Sequence, residues 1–341
     1  MRICICGGGS LGHVCAGVFA SHDSVEVSLL TGKPELWNDV ILVEDCVGKI
    51  YEAGLGKISS DPEDVVPGCD MVLICQPGFL IEKTLNDIAP FIKPDTIIGS
   101  IVSSTGFFFA AHEILPSGTR LFGFQRTPFI ARVKEYGKSA FLLGYKPQVS
   151  FAAENIPDVD SFRILVEDLF RTPANVLASH YEASLTNSNP ILHTGRLYSL
   201  WHDWDGTPYD HNILFYKEWT DDASRLLIEM DSEFMLLLQK LDVSEKAVPS
   251  LLEYYESYDA ASLTAKISSI KAFETILSPM VRTEKGWVPD FTSRYFTEDF
   301  PYGLRIIKEL AQKNDLPTPV IDKVLGWGLE MMSGSTKPAC Q

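Results

Sequence analysis

The polar string NSNPILH, residues 187–193, carries a residue type that exchanges protons near neutral pH. Asn189 and His193 are four positions apart, so on a helix that begins at Pro190 their side chains project to the same side. A histidine placed in this way can act as a general acid or base. The same spacing also fits a helix cap followed by a core histidine.

A second string, RYFTEDFPYGL, begins at Arg294 and places Glu298 and Asp299 just before a helix that would open at Pro301. Acidic side chains are favoured at helix N-termini, where backbone N–H groups lack partners. The two carboxylates therefore fit an N-terminal cap. Spacing alone leaves a catalytic role open for both strings, and their combination with a cofactor motif strengthens it.

That cofactor motif is GGGSLGH, in which Gly7, Gly9 and Gly12 stand in the G-x-G-x-x-G register directly after the apolar run RICIC. The first glycine permits a tight turn, the second lets the backbone approach a pyrophosphate, and the third lets the helix pack closely on the sheet. The helix N-terminus then faces the phosphates. We predict that Gly7, Gly9 and Gly12, with Ser10 and Leu11, bind a dinucleotide.

The choice between the two nicotinamide cofactors is usually made after the second strand, where an acidic residue binds the ribose hydroxyls. Here that place has the sequence LLTGKP, which contains no acid. Thr31 and Lys33 can instead meet a 2′-phosphate, so the sequence favours NADP(H) over NAD(H), unless Lys33 is only a solvated loop residue. Gln76 and Pro77, which stop the strand MVLIC, are predicted to lie at the nicotinamide end.

Taken in order along the chain, these strings resemble the opine dehydrogenase family of the octopine and nopaline dehydrogenase type. The shared strings cover most of the chain: GGGSLGH, GFQRTPFIARVKEYGKSAFLLGYKP, NPILH, FYKEWT and RYFTEDFPYGL. The resemblance implies a Rossmann domain joined to an all-helical domain. It also implies NAD(P)H-dependent reductive condensation of an amino acid's amine with a 2-oxo acid.

The resemblance assigns the catalytic histidine to His193, its partner aspartate to Asp299, and a substrate-binding asparagine to Asn189. An aspartate that holds the imidazole fixes its tautomer and raises its basicity. Arg132 is a further candidate for binding substrate carboxylates, and a structural salt bridge is the alternative. One departure is Thr194, because the family commonly has proline directly after the histidine; the polar segment at residues 202–212 is another.

The elements that must position these residues alternate in the first half of the chain. Strand signals at Arg2–Cys6, Val25–Leu30, Met71–Cys75 and Thr96–Ile101, separated by helical patterns, predict a doubly wound parallel sheet. After about residue 150 apolar residues recur at three-and-four spacing in six stretches, among them Tyr181–Trp204, which predicts helices. We therefore expect a Rossmann domain at residues 1–150 and a helical domain at residues 151–341.

Bulk composition excludes several classes of protein. The net charge is −16 over 341 residues and basic runs are absent, so a nucleic-acid partner is disfavoured. No stretch is apolar enough to span a bilayer, and no signal peptide is evident. Seven cysteines without paired C-x-x-C spacing indicate a reducing, cytoplasmic location and predict no metal site. A homodimer is plausible.

Two alternatives remain. The first is a reductase of a 2-oxo or hydroxy acid, similar to ketopantoate reductase or 6-phosphogluconate dehydrogenase. Those enzymes usually rely on a lysine in the helical domain, where this chain has His193. The second is a dinucleotide-binding protein that has lost catalysis, and the presence of both His193 and Asp299 weighs against it.

Overall fold

The computed structural model describes residues 1–244 and 247–335, and the chain divides into an N-terminal unit, Met1–Ser184, and a C-terminal unit, Leu185–Gln341. The strands of the N-terminal unit are β1 Arg2–Cys6, β2 Glu26–Leu30, β3 Val40–Asp45, β4 Ile50–Gly54, β5 Ile58–Ser59, β6 Met71–Ile74, β7 Ile97–Ser100, β8 Arg120–Phe124, β9 Phe129–Glu135, β10 Ser139–Tyr145, β11 Val149–Glu154 and β12 Ala174–Val176. Its helices are α1 Ser10–Ala20, α2 Pro62–Val65, α3 Gly78–Ile88, α4 Phe107–Ile114, α5 Val159–Phe170 and α6 His180–Ser184, with 3₁₀ turns at Pro34–Leu36 and Ala89–Phe91.

The main sheet of this unit has eight strands in the order β12-β11-β8-β7-β6-β1-β2-β5. Neighbours run parallel except β8 and β11, which pair antiparallel. The six strands from β5 to β8 have the order of a dinucleotide-binding Rossmann sheet. The central strand β6 is buried throughout, as expected for a strand covered on both faces. The predicted Rossmann fold is confirmed.

A second sheet, β4-β3-β10-β9, covers the other side of α1. Helix α1 is therefore buried along nearly its whole length, and its apolar sequence packs both on the main sheet and on this one. A side chain at Gly17 would place its Cβ 2.4 Å from a methyl carbon of Val43 on β3, so the glycine sets this close approach.

The boundary expected at residue 150 is wrong, because the division lies at Ser184 and Leu185. Residue 150 falls within β11, which pairs with β8 and with β12 and so completes the main sheet. The amphipathic helix α5 follows, and its apolar face joins the core of the N-terminal unit. An amphipathic pattern predicts a helix but does not specify the surface on which that helix packs.

The C-terminal unit is helical, as predicted, with one small hairpin. Its helices are α7 Thr194–Trp201, α8 Asp221–Leu238, α9 Leu251–Tyr254, α10 Ala260–Ser269, α11 Arg294–Thr297, α12 Arg305–Lys313 and α13 Pro319–Ser335, with a 3₁₀ turn at Lys271–Phe273. The hairpin strands are β13 Met280–Thr283 and β14 Gly286–Pro289. Two π-helical segments, Ser188–His193 and Phe300–Leu304, lead directly into α7 and α12.

Six of the seven cysteines lie within the described residues, and all six are free thiols; Cys340 lies outside them. Five of the six are buried among the strands and helices of the N-terminal unit, where a thiol packs as a small hydrophobe. The cytoplasmic location stays a prediction. Among the described residues, every helix is too short or too polar to cross a membrane.

Candidate active site

A cavity of about 450 Å³ opens at the carboxyl ends of β1, β2, β5 and β6 in the N-terminal unit. In open α/β sheets ligands bind at this edge, at the point where the strand order reverses. The lining includes six of the residues predicted to bind cofactor: Gly7, Gly9, Thr31, Lys33, Gln76 and Pro77. Ser10, Leu11 and Gly12 form the first turn of α1 next to it.

The geometry of the glycines fits the fingerprint. Gly7 has a φ of +119°, and a Cβ there would lie 2.8 Å from the Cys75 carbonyl oxygen. At Gly12 a Cβ would lie only 1.9 Å from the Gly7 carbonyl oxygen, so the turn closes on the helix only without a side chain. A Cβ on Gly9 would meet nothing within 4 Å. Because α1 has no side-chain cap at Gly9, its N-terminal amides can receive a pyrophosphate at this open position.

His13 connects the fingerprint turn to the second sheet, a role that was not predicted from the sequence. The backbone N–H of Gly137 donates to His13 Nε2 over 2.7 Å, so Nδ1 carries the hydrogen and donates to the Gly9 carbonyl over 2.9 Å. Burial lowers the pKa of His13, against the opposing effect of the Gly9 bond. The imidazole is therefore neutral, and it fixes the β9–β10 turn whose Tyr136 lines the cavity.

Two of the predicted cofactor-binding residues, Thr31 and Lys33, follow the end of β2. Thr31 and Lys33 both line the cavity, and the backbone N–H of Thr31 donates to the Ser59 carbonyl at the end of β5. The Lys33 ammonium lies 5.9 Å from the ring centre of Tyr136. Gly8 has no room for a side chain, since its Cβ would lie 2.5 Å from the Tyr136 hydroxyl and 2.8 Å from Thr31 Oγ1. The middle glycine of the GGG run thus accommodates this tyrosine.

In the C-terminal unit, the side chains of His193 and Asp299 meet although they are 106 positions apart. The distance from His193 Nδ1 to Asp299 Oδ2 is 2.8 Å, and the side chains are 15% and 13% exposed. A carboxylate only accepts, so Nδ1 donates and Nε2 is left as the nitrogen that exchanges a proton. Asp299 makes no side-chain cap for the helical segment it precedes, so the cap interpretation is wrong and the predicted contact is present.

His193 ends one π-helical segment, Asp299 directly precedes the other, and the two segments touch each other. A bond from the Leu192 N–H to the Asn187 carbonyl closes the first segment, and a bond from the Leu304 N–H to the Asp299 carbonyl closes the second. The segments pack closely where a Cβ on Gly303 would lie 3.0 Å from Pro190 Cγ. π-Helical turns are rare and occur often at functional sites.

Tyr216 completes the arrangement, and its hydroxyl lies 3.0 Å from His193 Nε2. Its ring is stacked between Trp219 and Phe273. Burial raises the pKa of Tyr216 well above its usual value, with further contributions from neighbouring tyrosines and Asp299. The phenol therefore stays protonated and can donate to Nε2, which places the imidazole between a carboxylate and a phenol.

The buried Arg196 holds the segment that carries Tyr216. Its guanidinium donates from Nε to the Phe215 carbonyl over 2.9 Å and from Nη2 to the Glu218 carbonyl over 2.7 Å. Burial lowers the pKa of Arg196 to about 10, which still leaves it charged at neutral pH. Arg196 lies on the first turn of α7, and His193 directly precedes this helix. The short helix therefore positions His193 directly and Tyr216 through Arg196.

Comparison with known proteins agrees with this geometry. Residues 176–332 match the family model described as NAD/NADP octopine/nopaline dehydrogenase, alpha-helical domain. The opine dehydrogenase of Haliotis discus hannai is 30% identical, over 96% of this chain and 89% of that protein. The chain belongs to the opine dehydrogenase family.

Solved structures of that family superpose closely. Octopine dehydrogenase with NADH and L-arginine gives a TM-score of 0.85 at 25% identity, covering 98% of this chain and 90% of that one. Octopine dehydrogenase with NADH and pyruvate gives 0.84 at 26% identity, covering 97% and 89%. The resemblance seen in the sequence motifs is confirmed over nearly the whole chain.

The family's proline position after the histidine is filled here by Thr194, whose hydroxyl donates to the Pro190 carbonyl over 2.5 Å. The following residue, Gly195, lies close to α8, since a Cβ there would be 2.7 Å from a Leu227 methyl carbon. This departure from the family pattern therefore serves the local helix packing behind His193.

The two predicted substrate-binding residues have less defined surroundings. Asn189 is exposed on the first π-helical segment, four residues before His193. Arg132 is exposed on β9, where its guanidinium donates to the adjacent Ala131 carbonyl, and it forms no ion pair with any residue of the described part of the chain. The salt-bridge alternative for Arg132 is thus wrong, and the substrate role of both residues stays a prediction.

Sequence reasoning missed His13, Tyr136, Arg196 and Tyr216. Three of them stood inside motifs already singled out: His13 in GGGSLGH, Tyr136 in GFQRTPFIARVKEYGKSAFLLGYKP and Tyr216 in FYKEWT. A polar or phenolic residue inside a family motif, with no catalytic role assigned, was the available signal. Arg196 becomes visible only when the fold of the C-terminal unit is known.

Proposed function

We propose that the chain catalyses the NAD(P)H-dependent reductive condensation of an amino acid's amine with a 2-oxo acid, or the reverse oxidation. The observation that carries the proposal is the His193–Asp299 hydrogen bond within a chain of the opine dehydrogenase family. This pair supplies a base of defined tautomer. The cavity lined by Gly7 and Gly9 leaves the backbone at Gly9 open to a pyrophosphate, which supports a dinucleotide cofactor.

When bound, the reduced nicotinamide supplies the hydride. The protein's own task is to move protons while water leaves. The amine attacks the carbonyl carbon to give a carbinolamine, and loss of its hydroxyl as water gives an imine. His193 Nε2 is the nitrogen that takes a proton from the amine and returns one to the leaving hydroxyl. Asp299 stabilises the imidazolium that forms between these steps.

Substrate recognition requires cationic and amide groups, because both substrates carry carboxylates. We assign this role to Arg132, whose guanidinium forms no ion pair with the described residues, and to Asn189, which shares a π-helical segment with His193. Replacing either by Ala should raise KM for the 2-oxo acid or the amino acid and leave dinucleotide affinity unchanged. An unchanged KM for both substrates would remove that residue from the site.

The test of the reaction is a screen of NADH and NADPH oxidation with pyruvate, oxaloacetate or 2-oxoglutarate against a panel of amino acids. Oxidation that requires both substrates, with a secondary amine dicarboxylate identified by mass spectrometry, is the expected result. Oxidation without any amine would indicate simple oxo-acid reduction, the alternative considered for the sequence. His193→Ala should abolish most turnover and retain dinucleotide binding.

For the cofactor we propose a preference for NADP(H) over NAD(H). It is supported by Thr31 and Lys33 in the cavity lining and by the lack of an acid in the LLTGKP segment after β2. Lys33→Glu should weaken NADPH by more than NADH, because a hydrogen bond between charged groups contributes about 1.5–3 kcal/mol. Lys134→Glu, an exposed lysine on β9 outside the cavity lining, is the matched control. If Lys33→Glu leaves the ratio of the two affinities unchanged, the preference is not set here.

The homodimer expected from the sequence also stays a prediction. Light scattering of the purified chain measures it directly.

A further inference from the structure

Three side chains that can ligate a metal lie close together in the N-terminal unit, on elements other than those that line the dinucleotide cavity. They are His112 near the end of α4, Glu154 at the end of β11 and His180 at the start of α6. His112 Nε2 lies 2.7 Å from one Glu154 oxygen, and His180 Nδ1 lies 2.7 Å from the other. The three ligand atoms all lie within 4.8 Å of one another.

We propose that His112, Glu154 and His180 form a binding site for one Zn²⁺ ion. Two imidazoles and one carboxylate are a donor set that borderline first-row ions prefer, whereas Mg²⁺ and Ca²⁺ prefer oxygen alone. Three protein ligands leave the fourth tetrahedral position to water. None of these residues belongs to the chemistry of His193 and Asp299.

The geometry is close to what zinc requires. Zinc bonds of 2.0–2.2 Å place tetrahedral ligand atoms roughly 3.4 Å apart. Each imidazole contacts a different oxygen of Glu154, so an ion bound between the two rings requires the 2.7 Å contacts to lengthen by roughly 0.7 Å and any wider separation, at most 4.8 Å, to close to a similar value. The side chains of His112, Glu154 and His180 are 42%, 24% and 16% exposed. An ion can therefore enter from solvent on the side of His112, while Glu154 and His180 are largely enclosed by the protein.

Surrounding aromatic rings fix the orientation of the imidazoles. The rings of His112 and His180 stand nearly perpendicular, with centres 5.1 Å apart. The ring of Phe108 packs against both imidazoles, and the ring centres of Tyr181 and His180 lie 4.1 Å apart. The site is thus assembled from three elements whose own packing brings the ligands together.

Sequence spacing gives no hint of this site, because the ligands lie 42 and 26 positions apart and no cysteine takes part. Other histidines of the described chain that contact carboxylates, such as His22 with Asp168, lack a second imidazole. Within residues 1–244 and 247–335 this is the one group of three such ligand atoms found together. A bound ion would cross-link α4, β11 and α6 and so stabilise the N-terminal unit.

The test uses the full chain stripped of metal by a chelator and dialysed. Zinc binding is measured by competition with a chromophoric zinc indicator at neutral pH, together with the melting temperature. We expect one tight Zn²⁺ per chain, a rise in melting temperature with Zn²⁺ and not with Mg²⁺, and tetrahedral absorption bands with Co²⁺. His112→Ala and His180→Ala should each weaken Zn²⁺ binding at least about tenfold.

His22→Ala, which removes another histidine from a carboxylate contact in the same unit, is the matched control and should leave zinc affinity unchanged. Glu154→Gln keeps the shape of the carboxyl group, so it should retain the native circular dichroism spectrum and dinucleotide binding while losing zinc. Equal zinc affinity in the wild type and in His112→Ala, or loss of zinc binding in His193→Ala instead, would overturn the proposal. Absence of tight zinc binding by the wild type would do the same.

Discussion

Replacing Asp299 by Asn tests the proposed proton relay most directly. The amide keeps the shape of the carboxylate but carries no charge, and it can donate to Nδ1, which would move the ring hydrogen to Nε2. His193 would then present an N–H where the mechanism needs a lone pair. Because the two side chains are only 15% and 13% exposed, solvent screens little of this interaction.

The magnitude follows from the 2.8 Å contact between Nδ1 and Oδ2. A hydrogen bond to a charged group contributes about 1.5–3 kcal/mol. If this whole contribution is lost from the transition state in which the imidazolium forms, kcat/KM falls by roughly 10- to 160-fold. The dinucleotide affinity should not change, because the pair lies in the C-terminal unit and the fingerprint in the other.

The assay is the initial rate of NAD(P)H oxidation with the substrate pair found by the screen, combined with a fluorescence titration of the dinucleotide. Glu298→Gln makes the same chemical change one residue away and is the matched control, expected to retain activity within about threefold. The double variant with His193→Ala should be no slower than His193→Ala alone, since the two residues act as a unit. Wild-type rates for Asp299→Asn, or losses that multiply in the double variant, would refute the relay.

Three further predictions concern Tyr216, the fingerprint glycines and His13. Tyr216→Phe removes the hydroxyl 3.0 Å from Nε2 but keeps the stacked ring, so kcat should fall by about 2- to 13-fold with little change in melting temperature, measured by steady-state kinetics and calorimetry. Gly12→Ala places a methyl group 1.9 Å from the Gly7 carbonyl oxygen, so it should destabilise the turn and weaken dinucleotide binding at least about tenfold. Gly9→Ala has room for its methyl group, so it should fold normally and weaken only dinucleotide binding. Burial lowers the pKa of His13, so the unfolded state binds more protons than the folded state between the folded pKa and about 6.5. The free energy of unfolding should therefore fall as pH drops from about 7 to 5. This pH dependence should be smaller in His13→Gln.

Each of these has a result that contradicts it. A Tyr216→Phe variant with wild-type kcat would make the phenol a packing residue. Normal melting and cofactor affinity in Gly12→Ala would mean that the turn can relax away from the helix. Identical slopes of stability against pH in the wild type and in His13→Gln would assign that dependence to other groups, of which His22 is the first candidate because burial also lowers its pKa.

The N-terminal sheet and the fingerprint turn were predictable because each rests on constraints that act over a few residues. Strands β1, β2, β6 and β7 are short apolar runs bounded by turn residues, and Gly12 must lack a side chain whatever surrounds it. The pairing of His193 with Asp299 was different, because spacing alone favoured a cap and a core histidine. Only the family resemblance connected two strings more than a hundred residues apart.

The rest could not be read from local patterns because it depends on tertiary partners. Helix α5 has the same amphipathic pattern whichever unit it packs on, and so the boundary was placed too early. The long helix expected at Tyr181–Trp204 is instead α6, a π-helical segment and α7, an interruption that apolar spacing does not reveal. Tyr136 reaches the cavity only because the second sheet folds over α1.

The two touching π-helical segments make the dyad sensitive to chain length as well as to residue identity. Each segment contains the residue that an α-helical turn would leave out, and an α-helix rotates by about 100° per residue. Deleting one residue, for example Ser188, would let α-helical hydrogen bonding run on into α7 without disturbing the helix beyond. The chain before His193 would then be out of phase with the chain after it, and the imidazole could face Asp299 only if the connection from α6 were rewound. Single-residue deletions at Ser188–His193 and Phe300–Leu304 should therefore be as damaging as replacing the dyad itself, even where every substitution at the deleted position is tolerated.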